Sequence, residues 1–377
     1  MQGMLVTGGA GFIGANFVHH CLEHHPGVRL VVLDALTYAG KVENLHATSG
    51  CPSLRFVHGS ITDQSLVEGI LRDERLDTLV HFAAESHVDR SIHGDDEFIH
   101  TNIVGTHSLL KAARKVWLDE HIVDRHRFHH VSTDEVYGSL GPDDPPFHER
   151  TPYCPNSPYS ASKAASDHLV RAYNCTYGLQ VTTSNCSNNY GPYHLPEKLI
   201  PLVIINILHG CALPIYGDGR NVRDWLHVSD HCRGIELILL RGSAGESYNI
   251  GGNSERKNLE LVQLLCQIAD EAFREDLELR FKYPRCPAGQ GASAASLITF
   301  VPDRPGHDRR YAIDSNKITT ELGFQPCISL ENGLRTTFKW YAQNDWWWQR
   351  VMDQRYEEWI RGHYGPSAVI KVHATHP

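Results

Sequence analysis

The sequence predicts an α/β fold in which a doubly wound parallel sheet is followed by a smaller C-terminal α/β lobe. Apolar strand-like runs alternate with helix-like stretches through the first half of the chain, and a glycine-rich turn follows the first run. The strand-like runs are residues 4–6, 30–33, 54–57, 78–82, 128–132 and 181–184, and the helix-like stretches are 15–22, 65–71, 105–117 and 161–177. Strands joined through helices pair in parallel, so helices should cover both faces of the sheet.

Three glycines, Gly8, Gly11 and Gly14, lie in the turn between the first strand and the first helix. This spacing is typical of Rossmann-type dinucleotide sites, where glycine lets the backbone approach a pyrophosphate at the helix N-terminus. The second strand ends in Asp34, 20 residues after Gly14, where a carboxylate can bind the ribose 2′-hydroxyl. No arginine stands just beyond Asp34, and its carboxylate would repel a 2′-phosphate, so the predicted cofactor is NAD rather than NADP.

Two further motifs predict proton chemistry. Thr133, Asp134 and Glu135 follow one strand-like run, and Tyr159 and Lys163 follow at a four-residue interval on a predicted helix. Such a pair shares one helix face, so the Lys163 ammonium can stabilise a phenolate that otherwise needs a pH near ~10. An adjacent Asp and Glu supply a proton donor and a base, which a simple alcohol oxidation does not require. Each motif alone is common on surfaces; together, at strand ends, they favour a catalytic site.

The domain organisation follows from a change of pattern near residue 190, beyond which periodicity weakens and prolines are closely spaced. We expect a dinucleotide-binding domain over residues 1–190, to which residues of about 222–250 return. A substrate-binding lobe over residues 191–340 and a C-terminal helix and tail over residues 341–377 should follow. Residues 285–296 are rich in Pro, Gly, Ala and Ser and are predicted to form a mobile loop.

Composition excludes several classes of protein. The 377 residues carry a formal net charge of −9, which offers no broad basic surface to nucleic acid. No apolar run approaches the ~20 residues of a membrane span, and a strand-like run starts almost at the N-terminus. We therefore expect a cytoplasmic protein. The cysteines form no Cys-x-x-Cys pair, and surface and packing roles are favoured for histidine pairs such as His19-His20 and His24-His25, so neither disulfides nor metal sites are expected.

Several longer segments together resemble one family closely. They are TGGAGFIG at 7–14, AAESHVDRSI at 83–92, STDEVYG at 132–138, YSASK at 159–163, NCSNNYGPYHLPEKLIP at 185–201, LPIYGDGRNVRDW at 213–225 and DRPGHDRRYAID at 303–314. Over roughly residues 3–340 the chain resembles the dTDP-glucose 4,6-dehydratases, a group of extended short-chain dehydrogenases/reductases. The Thr-Asp-Glu triplet separates this group from related epimerases and decarboxylases.

The resemblance implies a reaction that begins and ends with hydride transfer. NAD would oxidise C4 of the glucose while Tyr159, helped by Lys163, removes the hydroxyl proton. Glu135 would take the C5 proton, and protonated Asp134 would give a proton to the departing C6 hydroxyl. The hydride would then return to C6 and a proton to C5, giving a 4-keto-6-deoxy sugar without net redox change. Thr133 would hold the sugar hydroxyl near Tyr159.

The resemblance also implies binding residues in both lobes. Besides the three glycines and the Tyr-Lys pair, the implied cofactor contacts are Phe12, Ile13, Asp34, Thr37, Ile61, Ala83, Ala84, Thr101 and Asn189. Besides Thr133, the implied substrate contacts are Ser86, Asn188, Lys198, Leu199, Pro214, Tyr216, Arg223, Asn258, Arg304 and His307. The cations Lys198 and Arg223 make independent sense opposite a diphosphate. A homodimer is implied through helices near residues 101–117 and 159–177.

Two departures from the family pattern concern the adenosine end of the cofactor. Ser60 stands where an Asp is usual, with Asp63 nearby as a substitute, and Ala35 replaces a usual Lys.

Three alternative functions stay open. A UDP-glucose 4,6-dehydratase keeps the same triplet. An epimerase or decarboxylase has no need of a donor to the C6 hydroxyl, and a noncatalytic NAD-sensing scaffold has no use for five proton-moving groups.

Overall fold

A computed structural model gives the structure of the chain and describes residues 1–48, 50–303 and 307–352. All six strand-like runs of the first half form strands, as predicted. The strands are β1 (Gly3–Thr7), β2 (Arg29–Asp34), β3 (Leu54–His58), β4 (Thr78–His81), β5 (Arg127–Thr133), β6 (Val181–Cys186), β7 (Asn188–Tyr190), β8 (Leu213–Tyr216), β9 (Val222–His227), β10 (Ser247–Ile250), β11 (Glu255–Lys257) and β12 (Ile298–Val301).

The helices fill most of the connections between these strands. They are α1 (Phe12–His24), α2 (Gln64–Asp73), α3 (Val88–His93), α4 (Asp96–Phe98), α5 (Thr106–Arg114), α6 (Pro158–Tyr177), α7 (Leu199–His209), α8 (Val228–Arg241), α9 (Asn258–Glu275), α10 (Leu277–Lys282), α11 (Asn316–Leu322), α12 (Leu330–Gln343) and α13 (Asp345–Val351). Two π-helical segments, Ile99–Gly105 and Lys115–Asp119, flank α5. No helix within the described part of the chain is both long and apolar enough to cross a bilayer.

The chain forms two compact units, of which the first comprises residues 1–189, 224–253 and 308–327. Its seven strands pair in parallel in the order β10-β6-β5-β4-β1-β2-β3. From β1 the chain first runs outward through β2 and β3, then returns to the other side of β1 through β4. The direction therefore switches between β1 and β4, and ligands bind at such switch points in doubly wound sheets.

Alternate residues of the central strands pack into two separate cores, one on each face of the sheet. Met4 and Val6 of β1 belong to the core that contains residues of α1 and α8. Leu5, between them, belongs to the core that contains residues of α2, α5 and α6. Because successive side chains of a strand point to opposite faces, an uninterrupted apolar strand is buried on both sides. This is the doubly wound architecture that the sequence predicts.

The segment 308–327 belongs to the first unit, although the sequence places it within the predicted lobe 191–340. The Leu140 N–H donates to the Arg310 carbonyl at 3.0 Å, and the Phe147 N–H donates to the Ala312 carbonyl at 2.9 Å. These bonds join parts of the chain that are remote in sequence. The local periodicity of the sequence cannot predict hydrogen bonds between segments that are so far apart in the chain.

The second unit comprises residues 190–223, 254–307 and 328–377. Its helices α7, α9 and α12 pack on one another, and β8 pairs in parallel with β12. Aromatic rings fill part of its interior: Trp340 lies edge-on to Tyr193 at 4.8 Å and to Trp347 at 5.2 Å between ring centroids. Residues 353–377 of the predicted tail lie outside the described residues.

The segment 285–296 contains two short 3-10 turns, Pro287–Gln290 and Ala294–Leu297. The carboxylate of Asp270 on α9 accepts hydrogen bonds from the Ser293 hydroxyl at 2.7 Å and the Ala294 N–H at 2.8 Å. The segment therefore has local structure that its composition did not predict, because its anchor lies on a different element.

Candidate active site

The glycine turn after β1 fits tightly against its surroundings. Gly8 has a φ of +71°, and a Cβ there would lie 2.5 Å from the backbone nitrogen of Ala83 at the end of β4. A Cβ on Gly14 would lie 2.2 Å from the Gly8 carbonyl oxygen. The turn therefore tolerates no side chain at either position, and it leads directly into α1 after Gly11. Since glycine offers no capping side chain, the first N–H groups of α1 are presented at the switch point.

Asp34 lies at the end of β2 and binds backbone amides with both carboxylate oxygens. Oδ2 accepts the Ala10 N–H at 2.9 Å, and Oδ1 accepts the Leu36 N–H at 2.8 Å. Burial raises the pKa of Asp34, and the two amide hydrogen bonds oppose that rise. Each oxygen retains a second lone pair for another donor. A link from Asp34 to the glycine turn was not part of the sequence interpretation.

The other predicted cofactor residues also belong to the first unit. They are Phe12 and Ile13 at the start of α1, Thr37 beyond β2, Ile61 beyond β3, Ala83 and Ala84 beyond β4, Thr101 in the π-helical segment before α5, and Asn189 in β7. Ser60 bonds Thr62 through its hydroxyl, and Asp63 caps α2 by accepting the Leu66 N–H at 3.0 Å. Asp63 therefore serves as the N-cap residue of α2.

The Thr-Asp-Glu triplet lies where β5 ends and the chain turns. Thr133 closes the strand, and its hydroxyl oxygen accepts the Glu135 N–H at 3.3 Å, which starts a 3-10 turn over Asp134–Tyr137. The same hydroxyl lies 3.4 Å from Asp134 Oδ1, to which it donates. Asp134 is only 2% exposed, whereas Glu135 is partly exposed. The two adjacent carboxyl groups therefore have different environments.

Tyr159 and Lys163 lie in the first turns of α6. Ser157 and Ser160 form a reciprocal capping box, and Pro158 opens the helix. Burial raises the pKa of Tyr159 well above 10, and the Glu135 carboxylate raises it further, while a hydrogen bond with Thr133 lowers it. These interactions place the phenol beside two members of the triplet.

The Lys163 ammonium is buried and anchored to the sheet. Nζ donates to the Val131 carbonyl on β5 at 2.9 Å. Burial lowers the pKa of Lys163 to about 8, an effect that the nearby Asp167 carboxylate opposes. The amine is therefore charged at neutral pH and loses its charge within one or two units above it. The predicted pair of Tyr159 and Lys163 thus shares one buried helix face.

Asn102, in the π-helical segment before α5, connects the loop after β4 to α6. Its side chain accepts the Glu85 N–H at 2.9 Å and donates to the Glu85 carbonyl at 3.0 Å and the Ser162 hydroxyl at 2.8 Å. The Ser162 hydroxyl in turn donates to the Tyr159 carbonyl at 2.7 Å. No sequence signal identified Asn102, because its partners lie on two other elements.

The predicted substrate residues divide between the two units. Ser86, Thr133 and Asn188 belong to the first, and Ser86 Oγ lies 3.2 Å from the Tyr38 hydroxyl. The predicted residues of the second unit are Lys198 and Leu199 at the start of α7, Pro214 and Tyr216 in β8, Arg223 in β9, Asn258 at the start of α9, and His307. Arg304 lies outside the described residues.

Within the second unit, two of the predicted substrate residues are in contact. The ring of Tyr216 meets that of His307 edge-on at 6.0 Å between centroids, and His307 Nδ1 lies 2.7 Å from Asp303 Oδ1. Arg223 is 6% exposed, and its guanidinium donates to the Val222 carbonyl at 2.8 Å. These contacts fix side chains at the start of β9 and after β12.

Comparison with known proteins agrees with this geometry. Residues 5–337 match the family model described as GDP-mannose 4,6 dehydratase. A dTDP-glucose 4,6-dehydratase of Xanthomonas campestris pv. campestris (strain B100) is 54% identical over 358 residues, which cover 94% of this chain and 97% of the relative. The dTDP-glucose 4,6-dehydratase of Salmonella typhimurium is 49% identical over 371 residues, which cover 96% of this chain and 98% of the relative. This chain belongs to the dTDP-glucose 4,6-dehydratase family.

Solved structures separate this family from its structural neighbours. A dTDP-glucose 4,6-dehydratase of Streptomyces venezuelae, solved with NAD bound, is 47% identical with a TM-score of 0.82, covering 93% of this chain and 100% of that chain. A UDP-glucose 4-epimerase of Thermotoga maritima has a TM-score of 0.77 but only 29% identity, covering 91% and 99%. The fold is common to both activities, whereas sequence similarity favours the dTDP-glucose 4,6-dehydratases.

Proposed function

We propose that this chain catalyses the NAD-dependent dehydration of dTDP-glucose to dTDP-4-keto-6-deoxyglucose, the reaction of a hydro-lyase. The observation that carries the proposal is the meeting of Thr133 and Glu135 with the buried phenol of Tyr159. It occurs in a chain that is 54% identical to a dTDP-glucose 4,6-dehydratase. A nucleotide-sugar epimerase needs no second acid-base pair beside its tyrosine, so this arrangement favours elimination of water.

The first unit fits NAD. The turn at Gly8, Gly11 and Gly14 leads into the N-terminus of α1, where a pyrophosphate can bind, and Asp34 offers its remaining lone pairs to a ribose hydroxyl. NAD held there would supply the hydride acceptor for oxidation at C4 and the hydride donor for reduction at C6. The predicted contacts after β3 and β4, Ile61, Ala83 and Ala84, belong to the same unit.

We assign removal of the C4 hydroxyl proton to Tyr159. Burial and the Glu135 carboxylate hold its pKa high, so the phenol needs nearby positive charge before it can act as a base near neutral pH. Lys163, one turn further along α6, supplies such a charge below about pH 8. Thr133, hydrogen-bonded to the phenol, is suited to orient the same sugar hydroxyl.

We assign the elimination step to the two carboxyl groups of the triplet. Oxidation at C4 makes the C5 proton acidic, and Glu135, the more exposed carboxylate, removes it. Asp134 gives a proton to the C6 hydroxyl as it leaves. A proton donor must carry its proton, and burial of a carboxyl group, here with 2% exposure, opposes the charged form.

The substrate assignments outside the catalytic turn rest on residue chemistry. Lys198 and Arg223 are cations suited to a diphosphate, and a guanidinium can bind phosphate with two parallel hydrogen bonds. Ser86, Asn188, Leu199, Pro214, Tyr216, Asn258, Arg304 and His307 are assigned to the remaining substrate contacts. The thymine base is chosen over uracil because the similar proteins with 49–54% identity are dTDP-glucose enzymes.

We further propose that the chain forms a homodimer through the helices near residues 101–117 and 159–177. Three apolar side chains on or next to these segments are largely exposed: Ile99 at 44%, Val104 at 46% and Tyr177 at 43%. Val104→Asp should lower the molar mass seen by light scattering from that of a dimer towards that of a monomer. Leu240→Asp, at a 54% exposed site on α8, is the matched control and should not. An unchanged molar mass in Val104→Asp would contradict the proposed dimer interface.

The function is tested by incubating the purified protein, with and without added NAD, with dTDP-glucose and separately with UDP-glucose. The expected product of dTDP-glucose has lost one water, detected by mass spectrometry, and UDP-glucose should be converted much more slowly. An isomer of unchanged mass would indicate an epimerase. Faster conversion of UDP-glucose would overturn the choice of base, and no conversion of either sugar would overturn the proposal.

A further inference from the structure

A buried carboxyl group, that of Asp167, lies one helical turn beyond Lys163 on α6. Its side chain is only 5% exposed. Oδ2 accepts hydrogen bonds from the Ser132 hydroxyl on β5 at 2.8 Å and from the Tyr153 hydroxyl at 3.0 Å. The carboxyl group is therefore fixed by residues from two other parts of the chain, behind the Tyr159 and Lys163 pair.

The imidazole of His130 lies between this carboxyl group and the Lys163 ammonium. His130 Nε2 is 3.1 Å from Asp167 Oδ1 and 3.5 Å from Lys163 Nζ. The His130 side chain is fully buried and Lys163 is 4% exposed. Because water is excluded, the opposite charges of Asp167 and Lys163, separated by one imidazole ring, interact much more strongly than they would at the surface.

Titratable groups surround Lys163 from four elements. They are His81 on β4, His130 on β5, Cys186 on β6 and Asp167 on α6 itself. Burial lowers the pKa values of both histidines well below 6.5, and it raises the pKa of the Cys186 thiol. These three groups are therefore uncharged near neutral pH, and Asp167 is the member of the set that carries a negative charge there.

Asp167 and Lys163 carry opposite charges together only over a narrow range of pH. Burial raises the pKa of Asp167 to about 6, while the Lys163 ammonium lowers it. Burial lowers the pKa of Lys163 to about 8, and the Asp167 carboxylate raises it. Both groups are thus charged between about pH 6 and about pH 8. Loss of either charge leaves the other buried and uncompensated.

We propose that Asp167 is a positioning residue of the active site, whose buried carboxylate keeps the Lys163 ammonium charged and in place on the face that carries Tyr159. The inference rests on the proposed function, in which Tyr159 needs that positive charge to act as a base. Asp167 touches neither the sugar nor the cofactor in this role. It acts through Lys163, and the neutral His130 fills the space between the two charges.

The test compares the pH profiles of kcat for Asp167→Asn, Tyr153→Phe and the unsubstituted protein with dTDP-glucose and NAD. The asparagine side chain keeps the shape and one acceptor of the carboxyl group but removes its charge. The descending limb of the profile, expected near pH 8, should move down by about one unit, with kcat at pH 8 reduced about fivefold and KM little changed. Tyr153→Phe keeps every charge at this site and removes one hydrogen bond. Its descending limb should stay in place, and its ascending limb should move to higher pH.

Three outcomes decide the matter. A descending limb that stays in place in Asp167→Asn, in an enzyme that is otherwise active, overturns the inference. An equal downward shift of that limb in Tyr153→Phe also overturns it, because hydrogen bonding rather than charge would then be the cause. If Asp167→Asn does not fold, an ascending limb that is unchanged in Tyr153→Phe overturns it.

An inactive unsubstituted protein would count against the proposed function, and a second measurement then tests the inference without turnover. The ultraviolet absorbance of tyrosinate is titrated in the holoenzyme with and without Asp167→Asn, and the signal of the matching Tyr159→Phe protein is subtracted from each. Tyr159 should ionise at higher pH when Asp167 is replaced, because the ammonium is lost earlier. Ionisation at the same pH overturns the inference.

Discussion

Asp34 and Ala10 are joined by a hydrogen bond of 2.9 Å, in which the side chain at the end of β2 accepts the backbone N–H of the glycine turn. The second oxygen of Asp34 accepts the Leu36 N–H at 2.8 Å. Gly40 lies so close that a Cβ there would be 2.4 Å from Asp34 Oδ1. The carboxylate that we assign to the ribose therefore also sets the shape of the turn that we assign to the pyrophosphate.

Asp34→Asn should weaken both the turn and the binding of NAD. An amide has one acceptor oxygen, whereas Asp34 uses two, so one backbone N–H loses its partner. We expect a loss of about 1.5–3 kcal/mol in the free energy of unfolding, together with less NAD in the purified protein. Urea unfolding and cofactor content measure the two effects. Asp276→Asn, at the N-cap of α10, is the control, since Asn caps a helix as well as Asp does; equal NAD loss in both variants would contradict the assignment.

Gly14→Ala and Gly69→Ala should have opposite effects on stability. A Cβ on Gly14 would lie 2.2 Å from the Gly8 carbonyl, so we expect a loss of about 1–3 kcal/mol and poor NAD retention. A Cβ on Gly69, in α2, would meet no other atom within 4 Å, so the substitution should stabilise the helix by about 0.5–1 kcal/mol. Urea unfolding of the two variants measures both changes. A stable, NAD-retaining Gly14→Ala would show that the turn can open.

Local periodicity predicts most of the first unit because its inner strands are buried on both faces and its helices on one face. The six strand-like runs, the Gly8 turn and the start of α6 at Pro158 all depend on neighbours in sequence. The return of residues 308–327 depends on hydrogen bonds between Phe147 and Ala312, remote parts of the chain. No local pattern encodes that pairing, so it could not be predicted.

The candidate site divides in the same way. Thr133 ends β5 and Tyr159 lies in the first turn of α6, which connects β5 to β6, so both could be expected at the carboxyl edge of the parallel sheet. Asp167 lies four residues after Lys163, a spacing that places both on one helix face, but the spacing alone does not distinguish a buried pair from an exposed one. Asn102 has its partners on two other elements and left no sequence signal.

Glu135→Gln should stop the reaction after oxidation at C4. Glutamine cannot take the C5 proton, so the absorbance of reduced cofactor should appear on mixing with dTDP-glucose and persist. Removal of the Glu135 charge should also make Tyr159 easier to ionise, because that carboxylate raises the phenol pKa. Oxidation itself should therefore survive. Glu149→Gln, remote from the triplet in sequence, is the control for the loss of a carboxylate; full turnover in Glu135→Gln would refute its role as the C5 base.

Asp134→Asn should slow the loss of water more than the oxidation step. An amide fills the same buried space and can keep the hydrogen bond from the Thr133 hydroxyl, but it cannot give up a proton to the C6 hydroxyl. We expect a reduction of about 10²–10⁴-fold in product formation. Stopped-flow absorbance follows oxidation, and quenched samples analysed by mass spectrometry follow dehydration. Equal slowing of the two steps would argue against Asp134 as the donor.

Acid should destabilise this protein progressively below about pH 6.5, because several histidines are buried in neutral form. Burial lowers the pKa of His231 to about 3 and those of His126 and His227 to about 4. The unfolded chain binds protons at these residues near pH 6.5 while the folded chain does not, so the stability they contribute is complete above pH 6.5 and is lost as pH falls towards the folded-state values. His231→Gln should therefore reduce the slope of the unfolding free energy against pH, between about pH 6 and 4, by up to about 1.4 kcal/mol per pH unit. Urea unfolding at a series of pH values measures the slope. Parallel curves for the two proteins would mean that His231 is already protonated in the folded state.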